Sequence, residues 1–442
     1  MTKKTRDYIF YFFIFFFVTG TVLISLYASG YKFNLSWPLK FNRFLIKTGM
    51  IAVDTVPSGA VVYLNDIPQS NLSLNPFKTE YLTTAAKVKN VLPGEYTLRL
   101  EREGYWPFQK KISIYSGQTT FAEDINLFRN DTPLLIAKAE ETEPSLSASR
   151  RYLFIPSTRT MITLKNNEER AIPLSEREAV WLKDSDKLLS AGNIYGFDPA
   201  GDIDYMSLIG SGASNWRLDE NQGRLYYQNK NSLNYLKLSD RTSILAVSGE
   251  TYGAYMPKGD NLYFVSTSQG KTAVKKYSLS SQKIEGELSL PAVGQYEFRP
   301  NDSNYLELYD KQNKTLYILN PDNIQSGIQM IKNAISWQWL DEDNLLYHNN
   351  WEIYRFNLNS GSSDLLTRVG EEITKLIWNR DSDYLIYSTA NSLNALDTKM
   401  NTATKIYSTD KISGAVLDEK DNILYFWAQT GNESGVYKMV LQ

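Results

Sequence analysis

From Leu146 to the C-terminus, apolar and polar positions recur in a unit of about 40 residues. Each copy opens on an aromatic or large apolar residue, passes a polar turn, re-enters a strand around a leucine and continues into a second short apolar run. The opening residues are Leu146, Trp181, Trp216, Tyr255, Phe298, Trp339, Trp378 and Leu417, at spacings of 35, 35, 39, 43, 41, 39 and 39. The leucines are Leu153, Leu188, Leu225, Leu262, Leu306, Leu346, Leu385 and Leu424, and six of the eight intervals leading to them equal seven. Asn, Asp and Gly fill the turns, as from Asp219 to Gly223, Asn301 to Asn304 and Asp341 to Asn344. These residues bend the chain through side-chain hydrogen bonds and tolerance of positive φ. Short strands at a period near 40 predict propeller blades. Eight anchors predict eight blades, with seven as the alternative if the first copy is irregular.

The last copy ends at Val436-Tyr437-Lys438-Met439-Val440-Leu441, one strand short of a four-stranded blade. The apolar segment 132–137, Thr132-Pro133-Leu134-Leu135-Ile136-Ala137, precedes the first copy and has no blade of its own. It is expected to supply the missing strand and close a propeller over residues 129–442, because pairing the chain ends protects sheet edges.

A different pattern precedes the repeat. Period-two runs at Met50-Ile51-Ala52-Val53, Ala60-Val61-Val62-Tyr63-Leu64, Thr97-Leu98-Arg99-Leu100, Lys111-Ile112-Ser113-Ile114 and Phe121 to Leu127 are separated by Pro/Gly turns. They predict a small antiparallel β-sandwich over 48–128, with 69–90 as a polar insertion. Upstream, residues 8–28 carry no charge and are dense in Phe, Ile, Val and Leu. As a helix this run reaches about 31 Å, enough for a hydrocarbon core of about 30 Å. Leu26-Tyr27-Ala28 is a poor cleavage site and the apolar run exceeds a signal-peptide core, so a retained single-pass transmembrane helix is favoured over a cleaved signal. Lys3, Lys4 and Arg6 lie on the short side. That places residues 1–7 in the cytoplasm, with a connector at 29–47 and both β domains extracytoplasmic.

Pro57-Ser58-Gly59-Ala60, Pro93-Gly94-Glu95-Tyr96 and Gly104-Tyr105 resemble the PEGA domain family over about residues 48–128. The namesake tetrad has Glu where this chain has Ser58, and the Thr-Pro common after the second strand is not recognisable. The resemblance implies a small extracytoplasmic β-sandwich without catalytic residues, found in envelope and surface-layer-associated proteins of bacteria. The repeat region resembles TolB-type and WD-repeat propellers in period, without a regular Trp-Asp dipeptide. The fold class is therefore all-β: transmembrane helix, PEGA-like sandwich and eight-bladed β-propeller.

Composition narrows the chemistry. With 47 basic and 49 acidic residues the net charge is −2, and no global field favours nucleic acid. No cysteine is present, which excludes disulfides, thiolate metal sites and Cys nucleophiles. The single histidine, His348, stands in a strand and has no Gly-x-Ser-x-Gly elbow to serve, so a packing role outweighs a catalytic one. One histidine without cysteine makes no ordinary zinc site. No phosphate-cradling glycine motif is complete, and no cofactor is expected. The clusters Asp341-Glu342-Asp343 and Asp381-Ser382-Asp383 fall in the repeated turn, whose geometry accounts for them. Trp337 and Trp351 are the aromatic candidates for contact with a ligand, set against blade packing. These readings favour a non-enzymatic, membrane-anchored interaction or scaffold protein of the cell envelope, binding a protein or glycan through the propeller. The alternative is an extracytoplasmic glycan hydrolase with paired carboxylates in the propeller channel.

Overall fold

A computed structural model describes residues 3–33, 45–70, 80–174, 179–183, 185–249, 252–291, 294–301, 303–325, 328–418, 420 and 422–442. The chain divides into two compact units. One comprises Met1–Asp131, Asp397–Ile406 and Gln442; the other comprises Thr132–Leu396 and Tyr407–Leu441.

The N-terminal helix runs from Lys3 to Ala28, so it starts five residues before the uncharged run. No Pro or Gly interrupts Lys4 to Asp7, and a helix need not end where the apolar side chains do. It stops at Gly30, whose φ of +83° is the left-handed conformation of a helix C-terminus. Tyr31–Phe33 then pairs with Leu45–Lys47. The middle of the expected connector, including Trp37-Pro38, lies outside the described residues.

The sandwich has a three-stranded sheet in the order Ala86–Val91, Gly49–Val56, Thr119–Asn126. Its four-stranded sheet runs Ile67–Pro68, Val61–Leu64, Gly94–Glu101, Phe108–Ile114. Alternate residues point inward, so Ile51, Val53, Val62, Leu98, Leu100, Ala122 and Ile125 form its buried core. The expectation of a purely antiparallel sandwich is corrected: Gly49–Val56 and Thr119–Asn126 are parallel neighbours. The chain crosses between the sheets an even number of times before its last strand returns beside the first. The expected polar insertion also contains most of the strand Ala86–Val91, where Val88 faces the core between Lys87 and Lys89 and Val91 faces it at the strand's end.

The repeat forms eight four-stranded sheets among the described residues. Their opening strands are Ser145–Leu146, Val180–Trp181, Ala213–Asp219, Tyr252–Lys258, Tyr296–Arg299, Ser336–Trp339, Lys375–Asn379 and Lys411–Asp418, which number blades one to eight. Opening strands of neighbouring blades touch one another, as in blades four and five or six and seven, so they line the inside of the ring. Every anchor residue lies on such a strand and every repeated leucine on the second strand.

Second strands such as Leu306–Asp310 and Tyr384–Ser388 are buried throughout, because a neighbouring blade covers each face. In blade five Leu306 and Leu308 pack with Tyr263, Val265 and Val274 of blade four. Tyr309 packs on the opposite side with Trp339, Leu345 and Tyr347 of blade six. The acidic turns are structural: Asp341 Oδ1 accepts from the backbone N–H groups of Asp343 and Asn344, both at 2.8 Å. A short helix, Met206–Ile209, precedes the Gly210-Ser211-Gly212 loop and has no apolar period to announce it.

Blade eight is composite. Leu134–Lys138 pairs antiparallel with Glu433–Val440, which continues to Ile423–Thr430 and Lys411–Asp418. Ile136 and Ala137 pack against the cluster of Leu153, Ile155, Tyr425, Trp427 and Val436. The indole N–H of Trp427 donates to the Ala139 carbonyl at 2.9 Å. At the seam between blades eight and one, Arg150 pairs with buried Asp418 at 3.2 Å.

Candidate functional site

A cavity of about 370 Å³ opens where the first-to-second-strand turns of blades two to five converge. Pro300 ends the opening strand of blade five. Asn301 then bends the chain by accepting from the Ser303 backbone N–H and hydroxyl, each at 2.9 Å. The carbonyls of this turn collect cations from other blades. Lys183 of blade two donates to Asn301 O at 2.8 Å. Lys258 of blade four donates to Asn304 O at 2.8 Å and Ser303 O at 3.2 Å. Arg217 of blade three donates to Phe298 O at 3.3 Å. Burial, followed by repulsion from Lys183, holds the Lys258 ammonium below the usual lysine range.

Arg299 borders the cavity, but its guanidinium packs on rings that do not belong to the lining. Its guanidinium lies 4.7 Å from the Trp337 ring and 5.0 Å from the Tyr309 ring. Its Nε stands 3.3 Å from Glu297 Oε1 without the alignment of a hydrogen bond. Asp219 and Glu220 bring carboxylates to the lining, and Trp181, Trp216 and Tyr305 bring aromatic surface. Buried side-chain atoms that lack a protein hydrogen-bond partner include Arg217 Nε, Asp219 Oδ2 and Arg299 Nε, all from this lining.

Trp337 and Trp351 occupy separate surroundings in blade six. Trp337 is half-buried on the opening strand, with its N–H donated to Glu307 Oε2 at 2.7 Å. Trp339 donates its N–H to the other Glu307 oxygen. Burial raises the Glu307 carboxyl above the usual carboxylate range, and the two indole bonds act in the opposite direction. Because residues two apart share a face, Glu307 and Tyr309 both look toward blade six, which sets the carboxylate between the two indoles. Trp351 lies in the second-to-third-strand turn and is 48% exposed. Beside it Glu352 accepts from Tyr354, Asn349 and Arg368, which draw its carboxyl down to about 2. His348 is fully buried; Nδ1 lies 2.7 Å from Asn349 O, and Nε2 has no protein partner.

The four cations of the cavity escaped the sequence reading, although a signal exists. Lys183, Arg217, Lys258 and Arg299 each follow an anchor (Trp181, Trp216, Tyr255, Phe298) by one to three positions in four consecutive repeats. Arg217, Lys258 and Arg299 stand on opening strands and Lys183 just beyond one, and only ring closure brings the ends of these strands together.

In the sandwich, Gly59 and Gly104 take φ of +96° and +79°, and Ala60 between the sheets is fully buried. These are the Pro-Ser-Gly-Ala and Gly-Tyr turns. Residues 48–126 match the PEGA domain family. In this PEGA domain, the Tyr96 hydroxyl donates to Leu92 O at 2.9 Å, bracing the Pro93-Gly94 turn. Where the family tetrad has Glu, the Ser58 carbonyl accepts from Arg102. No curated protein matches the chain.

Similar solved structures are propellers of the WD40 kind and relatives in fold. The dihydro-heme d1 dehydrogenase NirN is 14% identical with a TM-score of 0.46, over 62% of this chain and 68% of that one. The C-terminal WD40 domain of Sif2 is 14% identical with a TM-score of 0.40, over 78% and 90%. Kluyveromyces lactis Hsv2 is 12% identical with a TM-score of 0.34, over 48% and 70%.

Proposed function

We propose that this chain is a non-enzymatic interaction protein, tethered to the cell membrane of a bacterium by its N-terminal helix. The PEGA domain and the propeller lie outside the cytoplasm, the first as a spacer and the second as the platform for an envelope protein or glycan. The observation that carries this reading is the N-terminal helix. From Lys4 to Ala28 it is long and apolar enough to cross a membrane, and Tyr8, Phe10, Phe15, Phe16, Phe17 and Ile24 all stand exposed along it. Exposed apolar surface on that scale calls for a lipid or protein cover. The cation- and aromatic-walled cavity supports recognition at one end of the blades, and solvent-exposed Trp351 supports contact at the other.

Because the chain has no cysteine, a single Trp351→Cys substitution makes a clean reporter of sidedness. A membrane-impermeant maleimide is expected to label it in intact spheroplasts. Labelling only after lysis overturns the extracytoplasmic assignment. Cross-linked full-length chain purified from solubilised membranes is expected to retain an envelope component, and recovery of none above a helix-only control refutes the scaffold reading.

A further inference from the structure

The exit of the N-terminal helix is joined to the PEGA domain more tightly than a tether requires. The helix ends at Ala28, and the Gly30 carbonyl accepts from both the Thr48 backbone N–H and the Thr48 hydroxyl, each at 2.7 Å. Thr48 is buried, and Gly49 opens the first strand of the sandwich. The turn at 115–118 is fastened to the same point. Gly117 N–H donates to Thr48 O at 2.9 Å, the Ser116 hydroxyl to Lys47 O at 3.0 Å, and Met50 N–H to Gln118 O at 3.0 Å. A Cβ on Gly49 would stand 2.6 Å from both the Tyr115 carbonyl oxygen and Ile114 Cγ2, so glycine is what lets the turn close on the strand.

These contacts limit how far the domain can stand from a bilayer. The uncharged run 8–28 reaches about 31 Å as a helix and fills a hydrocarbon core of about 30 Å, which puts Ala28 at its edge. Two residues span at most about 7 Å and the bond from Gly30 to Thr48 adds 2.7 Å, so Thr48 lies within about 10 Å of the hydrocarbon. The headgroup layer is itself about 5–8 Å thick on each side. The turn bonded to Thr48 is therefore within a side chain's reach of the headgroups.

The side chains there suit that layer. Tyr115 is 60% exposed and amphipathic, the type that gathers at membrane interfaces, and Tyr27 is exposed on the last turn of the helix. Lys32 and Lys47 are exposed on the paired segments Tyr31–Phe33 and Leu45–Lys47, and the Lys47 side chain runs alongside Gly117. From Ser29 to Lys47 the sequence carries Lys32, Lys40, Arg43 and Lys47 and no Asp or Glu, so no carboxylate of the connector offsets them. Across the sheet, exposed Glu95 brings one carboxylate to the same end of the domain.

We infer that this end of the PEGA domain is seated in the headgroup layer of the membrane, with Tyr115 among the headgroups and Lys32 and Lys47 on the phosphates of anionic phospholipids. The domain then stands on the bilayer as a footed post, not at the end of a free tether. The strand Gly49–Val56 places the Pro57-Ser58-Gly59 turn about 26 Å from the foot. This inference rests on the reading of the N-terminal helix as membrane-spanning and does not depend on which side the domain occupies. Continuity with the apolar helix and the basic connector select phospholipid as the occupant.

Because the chain has no cysteine, single reporters can be placed by substitution and labelled with an environment-sensitive fluorophore. The full chain is reconstituted in phosphatidylcholine vesicles with and without phosphatidylglycerol. Gln118→Cys reports the foot, Ser58→Cys the opposite end and Val18→Cys the middle of the helix. Headgroup spin-labelled lipid is expected to quench the Gln118→Cys probe strongly and the Ser58→Cys probe weakly. Phosphatidylglycerol should deepen the quenching at Gln118→Cys, and about 1 M salt, where the screening length falls to about 3 Å, should remove that increment. Lys32→Gln and Lys47→Gln should each weaken the seated state by about fivefold, the weight of one basic residue at an anionic surface. Tyr115→Ala should reduce quenching with or without phosphatidylglycerol. All three side chains are exposed, so these variants keep their fold, which unchanged circular dichroism melts verify. Equal quenching at both ends would overturn the inference, as would quenching at Gln118→Cys that is indifferent to phosphatidylglycerol and to the lysine and tyrosine variants. Shielding of that probe from iodide without quenching by spin-labelled lipid would assign the surface to a protein and overturn it too. A chain-centre spin label should quench Val18→Cys. If it does not, the membrane-spanning reading falls as well; if it does while the foot fails, that reading stands without this inference.

Discussion

Substitution of Gly435 by alanine tests the closure of the ring directly. Gly435 lies on the third strand of blade eight, paired with Lys138 on one side and Ala428 on the other. A Cβ there would sit 2.3 Å from the Ala137 carbonyl oxygen and 2.6 Å from Leu135 Cδ1. Ordinary non-bonded separations are about 3.5 Å, so Leu134–Lys138 would have to withdraw by roughly 1 Å. The obstacle is backbone, and it cannot rotate aside as a side-chain tip can.

Overpacking of this kind costs about 1–3 kcal/mol. At roughly 2–4 °C per kcal/mol for a domain of this size, Gly435→Ala should lower the melting temperature by about 2–12 °C. The sign is decisive, because alanine in an unobstructed strand is more stable than glycine by roughly 0.5–1 kcal/mol. Thermal melts followed by tryptophan fluorescence provide the assay, repeated in a chain lacking residues 132–138. Deleting that segment should itself lower the melting temperature markedly. In the deleted background Gly435→Ala should be neutral or stabilising, since its obstacle is gone. An equal loss in both backgrounds, or a gain in the full chain, would refute strand 134–138 as the closing element.

Three further outcomes follow from the same geometry. Glu307→Gln presents an amide N–H₂ to one of two indole N–H groups and should cost about 1–3 kcal/mol by denaturant unfolding. Burial raises the folded Glu307 carboxyl, so the native state binds its proton more tightly; its contribution therefore falls as pH rises from the unfolded value through the folded one, and this slope should vanish in Glu307→Gln. Burial lowers the His348 imidazole, so stability should decline as pH falls from about 6.5 toward the folded value, and pH-dependent melts of His348→Leu should lack that decline. Trp351→Ala should change stability by less than about 0.5 kcal/mol in the same melts, since the ring stands in solvent, and a larger loss would place it in the fold rather than at a contact surface.

Sequence and structure contribute differently along this chain. The blade period was legible because each anchor and leucine is an apolar residue at a fixed place in a locally hydrogen-bonded hairpin, and the turns announce themselves through Asn, Asp and Gly. The apolar N-terminal helix and the PEGA turns were legible for the same reason: Gly59 and Gly104 stand where the backbone needs positive φ. The strand Ala86–Val91 was hidden by Lys87, Lys89 and Asn90, which surround core Val88 and read as a polar insertion.

The parallel pairing of Gly49–Val56 with Thr119–Asn126 could not be read from alternation, because period two reports which face is buried and says nothing of the neighbour's direction. The candidate site was less legible still. Trp337 drew notice as a free aromatic, yet its N–H belongs to Glu307 and one face to Arg299, residues 30 and 38 positions away. Lys183 and Asn301 are 118 residues apart and meet at 2.8 Å. Local sequence determines strands, turns and the residues that face inward, since those depend on neighbours a few positions away. Which blades share a cavity, and which side chains meet across it, depend on closing the ring, and that was decided only by the tertiary structure.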